Sequence, residues 1–457
     1  MKIIYTFLVA VFLCSACDKA ASQPQNTKIT TREVVKNLNF PWEILWGPDN
    51  HIWYTERGGK VSRLNPETGV TQLIATIPGV RAEGESGLLG MALHPDFTTQ
   101  PYVYLAYTYS SNGSNFLEKI VRYTFANNSL SEPLVLVDNI KGNFIHDGAR
   151  LLIAPDKTLY ITTGDAADQS LPQNKTSING KTLRINLDGT IPADNPFPGS
   201  PVWSFGHRNA QGLVLSPKGI MYSSEHGPSN DDEINILSKA QNFGWPNVHG
   251  YCNTDAEKQF CTANNVVEPI MTWTPTIAVC GLDYYDNTAI PEWKNSLLLT
   301  TLKESQLILL KLDEAGTKIT EQKVILTGFG RLRDVCVSPD GRIFVCTSNG
   351  GNDKIIEIKG EPTSVNDDST GETGFNMNIF PNPSRAQSTL EFFLVKAEDV
   401  EISLYNFLGE KIADFKKSGQ AGNNTFAFDL STYSSGSYTC RLQSESKRSS
   451  ASFQLLR

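Results

Sequence analysis

The residues best suited to chemistry fall in short clusters. They are His146-Asp147-Gly148-Ala149-Arg150, Thr163-Gly164-Asp165, Gly206-His207-Arg208-Asn209, Glu225-His226-Gly227-Pro228, Lys303 and Arg331-Leu332-Arg333. A histidine can take a proton near neutral pH, and a carboxylate on its second ring nitrogen fixes the tautomer and raises its basicity. His146 and Asp165 are the candidates for that couple. Side chains two apart on a strand share a face, so Arg331 and Arg333 should point together. With Arg208 and Lys303 they offer charge-assisted donors suited to a planar polyanion. A histidine on a strand is more often structural than catalytic. That bland reading weakens here, because a carboxylate and a cationic cluster recur beside it at strand ends.

The elements that must position these residues follow from a weak repeat over residues 34 to 360. An apolar strand runs into a Pro-containing turn and then a strand with an aromatic or aliphatic pair. It reads Ile44-Leu45-Trp46-Gly47-Pro48-Asp49-Asn50-His51-Ile52-Trp53-Tyr54 and returns around Pro155, Pro217 and Pro339, with a degenerate copy around Pro95. Proline presets φ, Asp and Gly tolerate turns, and β-branched and aromatic flanks suit pleated strands. The gap before Pro339 is about twice the neighbouring spacing, and Ser296–Thr300 with Leu307–Leu310 fills it. The expectation is all-β: a six-bladed β-propeller over 30–360, with a β-sandwich of chance turn spacing as the rival.

Residues 361–374 are acidic, polar and free of aromatics, which reads as a linker. From residue 375 to 457, short alternating strands with glycine-bearing turns predict a small C-terminal β-sandwich. Residues 1–22 read as an export signal, with Lys2 before an apolar stretch from Ile3 to Cys14. Two cleavage readings compete: a lipobox leaving Cys17 lipidated, or signal peptidase cutting after Ser22. The expected destination is the periplasm, the outer-membrane surface or the medium. No later apolar run is long enough to span a bilayer. A formal net charge of −8 argues against a nucleic-acid partner. Cys252 and Cys261 flank a short polar segment and suit a local disulfide in an oxidising compartment, or remain two thiols. Cys280, Cys336, Cys346 and Cys440 read as buried small hydrophobes.

Several motifs in fixed order resemble one family. These are Gly206-His207-Arg208-Asn209-Ala210-Gln211-Gly212-Leu213, Ser224–Asn235, Asn242–Val248, Gly87–Gly90, Leu183–Pro192 and Arg331–Val335. They resemble the soluble sugar dehydrogenases that use pyrroloquinoline quinone (PQQ), the glucose/sorbosone dehydrogenase family, over roughly 34–358. The resemblance implies a six-bladed propeller in which His146 takes the proton of the sugar's anomeric hydroxyl and Asp165 orients it. It further implies that Arg208, Asn209, Thr276, Lys303, Arg331 and Arg333 hold PQQ, and that the main-chain carbonyls of Gly227 and Pro228 hold calcium. Its substrate would be an aldose and its product a lactone, with electrons leaving to an external acceptor.

Departures concern the sugar side. Glu85 stands where the best-known glucose enzymes have glutamine, Asp147 where some relatives carry glutamine, and Trp273 is the only aromatic in Met271–Thr276. All three are expected to face substrate, and the pattern is closer to the aldose-oxidising branch. The motifs Pro381-Asn382-Pro383, Leu404–Glu410 and Gly436-Ser437-Tyr438 resemble the C-terminal sorting domain of type IX secretion, which implies that machinery as a partner. A glycan-binding or adhesion module is the rival for this segment. For the whole chain the rivals are an inactive binding propeller and a calcium-dependent lactonase. The lactonase would require carboxylate and Asn side chains converging on the metal, where a cationic cluster is out of place.

Overall fold

The computed structural model describes residues 27–361, 375, 377–406, 409–444 and 448–456. The export signal, Cys17 and all of the linker except Glu361 therefore lie outside the described residues. The chain divides into two compact units, the larger being Ile29–Glu361.

Among the described residues, the larger unit consists of six four-stranded antiparallel sheets. Their innermost strands are, in order, Pro41–Trp46, Leu88–Leu93, Gly148–Ile153, Ala210–Leu215, Val279–Tyr285 and Leu332–Val337. Each packs against the next, and the sixth packs against the first, so the innermost strands close a ring. The strand Lys28–Leu38 completes the sixth sheet from the other end of the chain segment. Second strands are buried along their whole length in Ile52–Glu56, Thr158–Thr163, Met221–Glu225, Ser296–Thr301 and Ile343–Thr347. Burial on both faces explains why these segments read as near-continuous apolar or Thr/Ser runs.

One geometric rule places the site. Antiparallel pairing sets the start of each innermost strand beside the end of the second: Pro41 opposite Glu56, Leu88 opposite Tyr107, Gly148 opposite Thr163, Ala210 opposite Glu225, Val279 opposite Thr301, Leu332 opposite Thr347. All six pairs also shift register within the first few residues at this end. Bulges of this kind bend a strand and re-aim side chains. The fifth sheet lacks the Pro-turn signature because its first connection, residues 286–295, carries the 3-10 turn Pro291–Trp293.

Below this end the ring is tied by a buried ionic network. Arg150 Nη1 lies 2.6 Å from Glu43 Oε1 and 3.0 Å from Asp334 Oδ2, and its Nε donates to the Gln211 carbonyl at 2.8 Å. Asp334 Oδ2 also accepts from the Ile44 N–H, Glu43 Oε2 accepts from the Met91 N–H, and the guanidinium sits 4.3 Å over the Trp42 ring. Burial opposes the Arg150 charge, but Asp334 and Glu43 outweigh it and raise its pKa. Removing one partner of a buried ion network leaves uncompensated charge. Arg150→Met is therefore expected to cost about 3–5 kcal/mol, seen as a lower urea midpoint, with Glu43→Gln added to Arg150→Met recovering part of it.

The smaller unit contains two sheets among its described residues. One has three strands, Met377–Phe380, Gln387–Leu394 and Gly422–Asp429; the other has four, Glu398–Tyr405, Lys411–Gly419, Gly436–Gln443 and Arg448–Leu455. Leu390, Phe392 and Leu394 from the first share a core with Ile402, Leu404, Leu442 and Phe453 from the second. Cys252 and Cys261 are disulfide-bonded across the helix Asp255–Asn264, which Thr254 and Glu257 cap reciprocally. Cys280, Cys336, Cys346 and Cys440 are buried free thiols, as their strand contexts predict.

Candidate active site

His146 is held at the lip of the third innermost strand with a left-handed backbone, φ +62°. Such strain in a non-glycine residue persists only where the surroundings impose it. Gly164 is what lets the loop approach: a Cβ there would lie 1.7 Å from the His146 carbonyl oxygen. His146 Nδ1 lies 2.8 Å from Asp165 Oδ1. A carboxylate can only accept, so in the neutral imidazole Nδ1 carries the proton and Nε2 the lone pair. Asp165 is itself fixed, accepting from the Ala167 N–H at 2.8 Å and from the Trp245 indole N–H at 2.9 Å. His146 keeps 15% side-chain exposure while Asp165 keeps 1%. His207 contrasts with it: it is fully buried, bonded to Ser204 and Glu225, and stacked on Phe243. It is the satisfied structural histidine.

The cationic residues gather at the same end. The Arg208 N–H and His207 Nδ1 share the Glu225 carboxylate, and Arg208 Nη1 donates to the His226 carbonyl at 3.2 Å. Arg208 lies 5.4 Å over Trp245. Burial lowers its pKa, against the Asp165, Glu225 and Glu85 carboxylates. Arg333 donates from Nη1 to Gln211 Oε1 at 2.7 Å and lies 3.2 Å from Cys280 Sγ. Arg331, just outside the strand, is an exposed residue whose guanidinium is only partly desolvated; that partial desolvation and the neighbouring Arg333 charge lower its pKa. Lys303 Nζ donates to the Thr276 carbonyl at 2.8 Å. Asn209 Oδ1 accepts from the Gly148 N–H at 3.1 Å.

Four buried donors here have no hydrogen-bond partner: Arg57 Nε, Arg208 Nε, Asn209 Nδ2 and Arg333 Nε. Buried polar atoms are ordinarily satisfied, so four orphaned donors at one end of the ring call for a partner. Arg57 is the cation that sequence reasoning missed. It follows the second strand of the first sheet, stacks 4.3 Å over Phe40, and donates to the Gly84 carbonyl. Burial and the nearby Arg333 lower its pKa while Glu85 opposes them. Its signal was positional, since Asp165, His226 and Lys303 follow the second strands of other sheets in the same way.

Two of the three residues expected to face substrate do not. Asp147 is 4% exposed and turns beneath the loop, accepting from Ser86 Oγ at 2.6 Å and the Asn143 N–H at 3.0 Å. Burial pushes its carboxyl up to about 7 despite these bonds. The cause is local: the loop uses the Asp147 carboxylate as acceptor for the Ser86 hydroxyl and the Asn143 N–H, and the left-handed backbone at His146 turns the two side chains apart. Trp273 packs against the core between the fourth and fifth sheets, and its indole N–H donates to Gln322 at 3.1 Å. It sits on the outermost strand Met271–Trp273, away from the ring's axis. Glu85 does lie at the site, with Oε2 buried and unpartnered. Gly227 and Pro228 are in the loop after Met221–Glu225; the Gly227 N–H donates to Asp232 Oδ1 at 2.9 Å. Among the described residues no three His, Cys, Asp or Glu side chains form a metal cage.

A closed ring of sheets thus gathers a His–Asp couple and unpartnered polar donors at one end. Over residues 38–357 the chain matches the family described as glucose / sorbosone dehydrogenase, and it belongs to that family of oxidoreductases. It is 34% identical to quinoprotein glucose dehydrogenase B of Acinetobacter calcoaceticus, covering 73% of this chain and 87% of that one. It is 30% identical to the aldose sugar dehydrogenase YliI of Escherichia coli, covering 76% and 96%. The PQQ-bound aldose sugar dehydrogenase of Streptomyces coelicolor superposes with a TM-score of 0.64 at 32% identity, over 73% of this chain and 99% of that one. Residues 378–454 match a secretion system C-terminal sorting domain, which implies export.

Proposed function

We propose that the chain is a PQQ- and calcium-dependent dehydrogenase that oxidises aldoses to lactones and passes the electrons to an external acceptor. The observation that carries this reading is the set of unpartnered buried donors on Arg57, Arg208, Asn209 and Arg333. With Arg331 and Lys303 they supply the charge and planar donor geometry that a flat tricarboxylate requires. When bound, PQQ supplies a two-electron acceptor for hydride, and calcium a Lewis acid for its carbonyl. The protein's own part is to bind, orient and move one proton. His146 Nε2 accepts the anomeric hydroxyl proton as the C1 hydrogen departs with its electron pair, leaving the lactone carbonyl. Asp165 steadies the imidazolium that results. Arg208, with Nε unpartnered, would help hold the quinone and supply positive charge for the electron density it gains. Calcium suits oxygen donors, and the carbonyls of Gly227 and Pro228 would offer them, next to the Ser229 carbonyl that accepts from the Thr276 N–H at 3.2 Å.

The closed order of six sheets supports reading the larger unit as a six-bladed propeller over 30–360, and the shared core of the last two sheets supports a sandwich over 375–457. The 361–374 segment then links an enzyme to a tail read by type IX secretion machinery. The catalytic unit would thus travel beyond the periplasm, to the cell surface or medium. The experiment is reconstitution. Purified apoprotein given PQQ and calcium should gain aldose-dependent dye reduction, and chelation should remove it. Full activity on nicotinamide cofactors alone would contradict the reading.

A further inference from the structure

We propose that Phe144 is the platform on which the sugar ring lies, with Glu85 accepting from its hydroxyls; this rests on the aldose-oxidising reading of the site. Phe144 is 53% exposed although apolar, and it lies two residues before His146. Single exposed apolar side chains are common, so it is position that sets Phe144 apart. That position is fixed by its backbone. The Phe144 carbonyl accepts from the Glu85 N–H at 2.7 Å, and its own N–H donates to Asn143 Oδ1 at 2.7 Å. Asn143 is anchored in turn to the Ala166 carbonyl at 2.9 Å and to Asp147. Gly84, at φ +60°, has no side chain to stand between: a Cβ there would lie 2.4 Å from the Phe144 carbonyl oxygen and 3.2 Å from its Cβ and Cδ2. The ring therefore lies against Gly84, next to Glu85, on the loop that carries the base.

The chemistry of the pair is complementary to one ligand class. A pyranose has a face of C–H groups and an edge of hydroxyls. The negative face of an aromatic ring favours the C–H face, and a carboxylate oxygen without a partner favours a hydroxyl donor. Glu85 is partly exposed beside the ring, and its Oε2 has no partner. Trp273, the aromatic expected to do this, is engaged with Gln322 instead.

The test uses reconstituted holoprotein carrying Phe144→Ala or Phe144→Tyr. Binding of a 1-deoxy aldose, which lacks the anomeric hydroxyl and cannot be oxidised, is measured by calorimetry beside KM and kcat for the parent aldose. Phe144→Ala should weaken 1-deoxy aldose binding and raise KM by about tenfold, with kcat and PQQ affinity unchanged. Phe144→Tyr should restore both. Aldose oxidation by the parent with unchanged KM and 1-deoxy aldose affinity in Phe144→Ala overturns the role of Phe144 alone. A parent holoprotein that takes up PQQ but neither binds nor oxidises any aldose overturns the functional reading, and this inference with it.

Discussion

Replacing His146 by alanine is expected to lower kcat by about 10²- to 10⁴-fold, the usual worth of a positioned base, with PQQ affinity at its parent value. The separation follows from geometry. The ring nitrogen facing outward is Nε2, because Nδ1 is committed to Asp165 at 2.8 Å. None of the unpartnered donors belongs to His146, so its loss leaves the anion-gripping set intact. Asp165→Asn should cost less, since an amide oxygen at the Oδ1 position can still accept from His146 Nδ1 and the Ala167 N–H, and only the Trp245 indole N–H loses its acceptor. Steady-state turnover beside an equilibrium PQQ titration measures both quantities. Near-parental kcat in His146→Ala would return this residue to a structural role.

The second large effect is on cofactor affinity. Arg331→Ala combined with Arg333→Ala is expected to weaken PQQ binding by about 3–6 kcal/mol, at roughly 1.5–3 kcal/mol for each charge-assisted contact. The two residues are not equivalent. Arg333 is buried and bonded to Gln211, so its removal also leaves that amide short of a donor. Arg331 is exposed at the strand's start, so Arg331→Ala should keep the parent fold and report the ligand contact by itself. An unchanged dissociation constant in the double variant would remove both residues from the site.

The sequence carried the fold further than the details of the site. The repeated strand–Pro-turn–strand pattern marks the first two strands of five sheets, because that turn is short and demands a preset φ. The fifth sheet hides it behind the turn at Pro291–Trp293. The His146–Asp165 couple and the Arg208, Arg331 and Arg333 cluster were legible from residue type and from position at strand ends. Arg57 was not, since Thr55-Glu56-Arg57-Gly58-Gly59 resembles any exposed turn until the register places it. Asp147 and Trp273 misled for the converse reason: a polar or aromatic residue near a motif says nothing of which way it points. Nor could one sequence show that Glu118 is buried with both oxygens unpartnered, its pKa raised by burial and by Asp147 nearby. The strand pattern gives its face but not what shares it.

The most direct test of the account is the absorbance of bound PQQ when calcium-loaded holoprotein is mixed with an aldose in the absence of any acceptor. A single stoichiometric reduction is expected, slower when the sugar carries deuterium at C1 and greatly slowed in His146→Ala. Stoichiometrically bound PQQ whose spectrum no aldose changes would contradict it.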